Sequence, residues 1–245
     1  MIYPKTAWLT TNKSCNNRCS WCYASQSNFP DTFMDFSLLC NLVDELHNNG
    51  IRNIIFIGGE PSLYKHLTEI VDYIANKQIR MSMATNGIRF SNKTFAQCII
   101  NKGLNNFNIS LKGNNEEEYY HNTHSFGFKK SIQGYKNLKA LGANVTLSYV
   151  LGTQSLSEIE GLKECLLRHS LDNIVFQLYK PSALEGKDVP DLMSIIETCK
   201  LAFNVFKETP LHFAFEMSIP LCLLDKSFLE ELINKNMIQT CCHIR

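Results

Sequence analysis

Asn53-Ile54-Ile55-Phe56-Ile57-Gly58-Gly59-Glu60-Pro61 sets a short apolar run against an abrupt turn. The run is too short for a helix. Its near-continuous apolar character is expected of a strand buried on both faces of a parallel sheet. The two glycines end it with backbone freedom, which allows positive φ or a close approach to a ligand. Glu60 then offers a carboxylate that can receive an ammonium group, or simply charge the N-terminus of the next helix.

The same alternation extends in both directions. Strands are predicted over 5–11, 53–57, 79–85, 106–111, 144–151 and 173–179, with helices between them over 36–48, 62–76, 91–102, 127–140 and 156–169. Leu38, Leu39, Leu42, Val43 and Leu46 recur at helical spacing, and Gly50 closes that helix. Alternating strands and helices predict an α/β fold with a parallel sheet. Six such units are too few for a closed eight-stranded barrel, so the expected fold is a partial (β/α)6 TIM-like barrel. It is expected to span residues 1–208. The tail, 209–245, reads as a short C-terminal extension: an extended segment Leu211–Glu216, then Pro220-Leu221-Cys222, a short helix near 225–235, and Cys241-Cys242.

Composition narrows the class of function. The 245 residues are 44% hydrophobic, enough for one large core. With 24 basic and 23 acidic residues the net charge is +1, which argues against a nucleic-acid partner. No apolar run approaches the roughly 20 residues of a membrane span, and the N-terminus lacks the order of a signal peptide. Ten cysteines without an export signal point to a reducing cytoplasm, where thiols hold metals or sit in cores.

The strongest chemical signal follows the first strand. Cys15-Asn16-Asn17-Arg18-Cys19-Ser20-Trp21-Cys22 spaces three cysteines as C-x3-C-x2-C. Three thiolates on one loop suit one face of an iron–sulfur cube, and the missing fourth ligand leaves one iron open. A structural zinc knot is the alternative, although zinc sites usually repeat C-x2-C pairs and close all four positions. An α/β barrel places its active site at the C-terminal ends of its strands. There the third and fourth strands end in Thr85-Asn86-Gly87 and Ser110-Leu111-Lys112-Gly113, short polar turns that mean little alone.

Taken together, these residues resemble the radical S-adenosylmethionine (radical SAM) enzymes over about residues 5–180. The resemblance rests on Cys15, Cys19 and Cys22, on Trp21 before the third cysteine, and on Gly58-Gly59-Glu60-Pro61 after the second strand. It implies a [4Fe–4S] cluster on the three cysteines and S-adenosylmethionine on the open iron. Gly58, Gly59 and Glu60 match the motif for the methionine ammonium. Trp21 stands near the adenine, and Ser110 and Lys112 fall where ribose contacts lie. Many relatives carry aspartate at the position of Lys112. Thr85, Asn86 and Gln177 are further cofactor-binding candidates. An electron donor such as flavodoxin or ferredoxin is implied.

Cys222, Cys241 and Cys242 look like the opening of a SPASM or Twitch extension, which would hold an auxiliary iron–sulfur cluster. The alternatives are a truncated or reduced extension, or cysteines that serve as small buried hydrophobes. The remaining Cys40, Cys98, Cys165 and Cys199 fall on helices and read as core residues. The run Glu116–His124 reads as a solvated helix start, with His121 and His124 facing solvent or touching substrate. Glu216 is a candidate proton acceptor. The expected activity is hydrogen abstraction from a peptide or protein substrate, as in the maturases of ribosomally made peptides. A small molecule of cofactor or metabolite biosynthesis, or an RNA, is the alternative substrate.

Overall fold

A computed structural model describes residues 4–22, 32–179, 190–217 and 220–240. The chain divides into two compact units, one of residues 1–110 with 119–145, the other of 111–118 with 146–245.

The first unit contains β1 (Thr6–Thr10), α1 (Phe36–Asn48), β2 (Asn53–Ile57), α2 (Leu67–Asn76), β3 (Arg80–Thr85), α3 (Lys93–Asn101) and β4 (Asn106–Ser110). It also takes the second half of α4 (Glu116–Thr123) and all of α5 (Phe128–Ala140). The four strands are parallel, with Leu9 beside Phe56, Phe56 beside Met83, and Met83 beside Phe107. These four side chains are buried and form the apolar face of the sheet. Residues one position along point the other way. So β2 is not buried on both faces: Ile54 and Phe56 are enclosed, while Asn53, Ile55 and Ile57 stay half-buried. A continuous apolar sequence permits burial on both faces but does not enforce it. Asp35 caps α1 by accepting from the Leu38 amide, and Leu39 and Val43 form its buried stripe. Leu38 lies off that stripe and is 58% exposed.

The second unit contains β5 (Asn144–Leu151, entering from the first unit), α6 (Leu156–His169), β6 (Asn173–Leu178), α7 (Leu192–Phe206), β7 (His212–Met217), α8 (Lys226–Asn234) and β8 (Ile238–Thr240). Ser155 and Glu158 form a capping box at the start of α6. Here the six-unit expectation is exceeded, because the tail continues the repeat. β7 pairs in parallel with β6, Val175 beside Ala214, and β8 pairs in parallel with β7. The boundary expected at 208 therefore falls inside a compact unit, between α7 and β7. The physical reason is an aromatic core: Phe176 packs against Phe206 at 5.1 Å and Phe215 at 5.4 Å between ring centroids, and Phe203 against Phe228 at 5.5 Å. No helix among the described residues is long and apolar enough to cross a membrane.

Phe215 is fully enclosed, so Phe215→Ala should cost about 3–5 kcal/mol. Denaturant unfolding measures it, and a loss well below 1 kcal/mol would mean that the tail folds apart from this core.

Candidate functional site

The segment after β1 is clamped on two sides. On one side Lys13 donates its amide to the Thr32 carbonyl at 3.1 Å and Met34 donates to Thr11 at 2.8 Å, with Asn12 bridged antiparallel to Phe33. On the other, Gly59 donates to the Asn12 carbonyl at 3.0 Å and Glu60 to the Ser14 carbonyl at 2.8 Å. The buried Asn12 carboxamide closes the joint, donating to the carbonyls of Ser14 at 2.9 Å and Glu60 at 3.0 Å. This contact explains both glycines. A Cβ on Gly58, whose φ is +134°, would sit 2.5 Å from the Asn12 oxygen, and one on Gly59 would sit 2.3 Å from the carbonyl oxygens of Lys13 and Ser14. The close approach that the sequence allowed for a ligand is made here to the backbone of the cysteine loop.

The Glu60 carboxylate turns inward. The residue is 1% exposed. One oxygen accepts from the Ser62 amide at 3.1 Å and the Thr85 hydroxyl at 2.6 Å, and the other accepts from the Asn86 amide at 2.7 Å. Burial pushes its pKa up, and these hydrogen bonds oppose the rise. Thr85 and Asn86, both buried at the end of β3, thus meet Glu60 directly. Asn86 then passes the connection on, donating from Nδ2 to the Asn16 side chain at 2.6 Å. Turns after β2 and β3 together grip the loop that carries the thiols.

The third support is α4. Its last-turn carbonyls lack partners within the helix. Two of them accept from the cysteine loop: Thr123 from the Arg18 amide at 2.8 Å, and Asn122 from the Ser20 amide at 3.1 Å. The acidic run thus opens a helix whose far end carries the loop, while His121 and His124 are exposed. Sequence reasoning missed Asn12, Asn16 and Asn17 as supports. The available signal was the recurrence of asparagine around Cys15, a residue whose amide can cap both donors and acceptors of irregular backbone.

The thiols are held but not closed around a point. Cys15 is exposed as a residue, and Cys19 and Cys22 are half-buried. The Cys22 amide donates to the Cys19 carbonyl at 3.1 Å, and the Cys15 sulfur accepts from the Asn17 amide at 3.4 Å. Desolvation of its sulfur raises the Cys15 pKa to about 11, with Glu60, Cys19 and Cys22 adding to the rise and the Asn17 amide opposing it. Among the described residues, no three His, Cys, Asp or Glu side chains are disposed to hold one metal ion, as tetrahedral zinc requires. A cube presents a separate iron to each thiolate, and the three-sulfur donor set fits it with one iron left over.

Trp21 is half-buried beside Cys22, and Ser110 is half-buried at the end of β4. The other candidates belong to the second unit. Lys112 is half-buried, and Gln177 on β6 donates to the Glu216 carboxylate on β7 at 2.6 Å. Cys222 is exposed, while Cys241 and Cys242 lie outside the described residues. Cys165 and Cys199 are buried as expected, but Cys40 is half-buried and Cys98 is exposed, because it lies off the buried stripe of α3 formed by Ala96 and Ile99.

Two measurements probe this arrangement. Glu60→Gln places an amide where three donors converge, so at least one is left unpaired; the loss should be about 1–3 kcal/mol, seen as a lowered Tm of the cluster-free protein. In the same cluster-free protein, alkylation of Cys15 followed by mass spectrometry should rise with pH toward about 11 rather than at the ordinary thiol value of 9.0.

The chain is 26% identical over 207 residues to the Fe-coproporphyrin III synthase of Methanosarcina barkeri, covering 84% of this chain and 51% of that protein. It is 32% identical over 138 residues to a probable GTP 3′,8-cyclase of Methanocaldococcus jannaschii, covering 56% of this chain and 45% of that one. Among solved structures, Streptococcus suis SuiB bound to the precursor peptide SuiA superposes with a TM-score of 0.68 at 17% identity, over 88% of this chain and 49% of SuiB. The chain thus spans about half the length of these relatives. The likeness to SuiB shows the fold, an open, partial TIM-like barrel. The model of the radical SAM superfamily matches residues 9–166, which contain all three clustered cysteines and the Gly58–Glu60 turn. The chain belongs to the radical SAM superfamily, whose members use a [4Fe–4S] cluster and S-adenosylmethionine.

Proposed function

We propose that this chain is a radical SAM enzyme acting on a peptide or protein. The observation that carries the reading is the interlock of the three-cysteine loop with Gly58-Gly59-Glu60 and the end of β3. When bound, the cluster and S-adenosylmethionine supply one-electron cleavage of the S–C5′ bond and a 5′-deoxyadenosyl radical that takes hydrogen from substrate. Cys15, Cys19 and Cys22 would hold the cluster, and its open position would take the methionine end of the cofactor. The Glu60 carboxylate is already committed to Ser62, Thr85 and Asn86, so the backbone of the Gly58–Glu60 turn would hold the ammonium. Trp21 is assigned to the adenine side, and Ser110 and Lys112 to the ribose. Thr85 and Asn86 act through Glu60. Gln177 orients the Glu216 carboxylate, which is assigned to the substrate. A flavodoxin or ferredoxin delivers the electron.

The peptide reading is supported by the fold shared with SuiB, which has been solved with a precursor peptide. A second reading, a small-molecule substrate, is favoured by the names of the relatives in Methanosarcina barkeri and Methanocaldococcus jannaschii. Anaerobic reconstitution with iron and sulfide, then reductant and S-adenosylmethionine, should yield 5′-deoxyadenosine. Cys19→Ala should abolish both cluster absorbance and cleavage, and a fully loaded protein that cleaves nothing would overturn the reading. Iron near four per chain means one cluster; iron near eight means two, with Cys222, Cys241 and Cys242 the candidate ligands of the second. Deuterium transfer into 5′-deoxyadenosine, from a labelled peptide or from labelled GTP, then decides the substrate class.

A further inference from the structure

Asn17 stands midway between Cys15 and Cys19 and is 6% exposed, which is unusual for an amide side chain on a metal-binding loop. Both ends of that amide are engaged. Nδ2 donates to the Tyr119 hydroxyl at 2.9 Å, and Oδ1 accepts from the Ser125 hydroxyl at 2.7 Å. Tyr119 is itself fully enclosed, and burial pushes its pKa up, so it stays a neutral phenol. Gly127 leaves the space for its ring: a Cβ there would lie 2.8 Å from Cε1 of Tyr119. The Thr123 hydroxyl ties the same turn to the Tyr119 carbonyl at 2.7 Å. The clamp therefore has a rigid base, and its grip ends at the peptide N–H of Asn17, which points at the Cys15 sulfur.

We infer that Asn17, held by Tyr119 and Ser125, is a positioning residue that keeps this N–H aimed at the Cys15 thiolate and so makes the cluster easier to reduce. The inference rests on the cluster assignment above. A donor aimed at a ligating sulfur stabilises the extra negative charge of the reduced state, and hydrogen bonds to sulfur are among the determinants of cluster potential. An amide serves both partners at once, since Tyr119 receives a hydrogen from Nδ2 while Ser125 gives one to Oδ1.

The test is an EPR-monitored redox titration of the anaerobically reconstituted full chain. It compares wild type, Asn17→Ala, Tyr119→Phe and the double variant, each with its iron counted. Asn17→Ala should shift the midpoint potential to a more negative value, and Tyr119→Phe should shift it the same way by less. If Tyr119 acts through Asn17, the double variant should move no further than Asn17→Ala alone. Asn137→Leu removes a buried amide that bonds the Phe90 and Ser91 carbonyls, away from the loop. It should lower Tm and leave the potential in place. Loaded variants with the wild-type potential, additive shifts, or a shift in Asn137→Leu would overturn the inference. Should Asn17→Ala take up no cluster, an unmoved potential in Tyr119→Phe is enough to overturn it. A wild-type protein that takes up no cluster refutes the cluster assignment itself, whereas a loaded wild type with unmoved variants refutes only the role of Asn17.

Discussion

Two peptide planes set the tolerance of the whole site. The Gly58-Gly59 backbone lies so close to Asn12, Lys13 and Ser14 that a single methyl group on either glycine would collide with a carbonyl oxygen. The Gly59 and Glu60 amides use that proximity to bond the loop, and Asn12 seals it from beneath. With this joint closed, Cys15 is fixed relative to β2. The end of β3 then joins through Glu60 and Asn86, and the end of α4 through the carbonyls of Asn122 and Thr123. Three secondary-structure ends, those of β2, β3 and α4, thereby determine where the thiols sit.

This arrangement changes the meaning of the glutamate. In the sequence, a carboxylate after two glycines looks like a ligand for a cation. In the fold it is an internal fastener whose acceptors face three protein donors. An enclosed carboxylate with satisfied hydrogen bonds makes the turn stiff, and stiffness is what a cofactor site needs from its supports. Gln177 and Glu216 show the same economy in the second unit. Strand register brings them side by side on β6 and β7, so one orients the other.

Much of this was legible because it is local. The apolar spacing that marks α1 and the Gly50 that closes it lie within a few residues of one another, and the caps that the structure adds, Asp35 for α1 and the Ser155–Glu158 box for α6, are equally local. The cysteine spacing and the glycine turn carry their chemistry in a few adjacent residues. What escaped depends on distant partners. The three residues of β8 are too few to display a period, and the strand exists because β7 offers it an edge. The direction of the Glu60 side chain is set by Thr85 and Asn86, which the sequence does not place beside it. Glu116–His124 displays its charges openly, while its part in holding the cysteine loop lies in backbone carbonyls that have no sequence signature.

The span of the Asn17 clamp bears on how the protein is made. Asn17 and Tyr119 are 102 residues apart, and Asn17 and Ser125 are 108 apart. Contacts of such separation form late, since a long stretch of chain must be ordered before they close. On the ribosome the three thiols emerge well before the tyrosine that will fix their spacer, at a synthesis rate of roughly 5–20 residues per second. The final geometry at Cys15 is therefore not a property of the N-terminal segment as it is born; it is conferred when β4 and α4 have folded behind it.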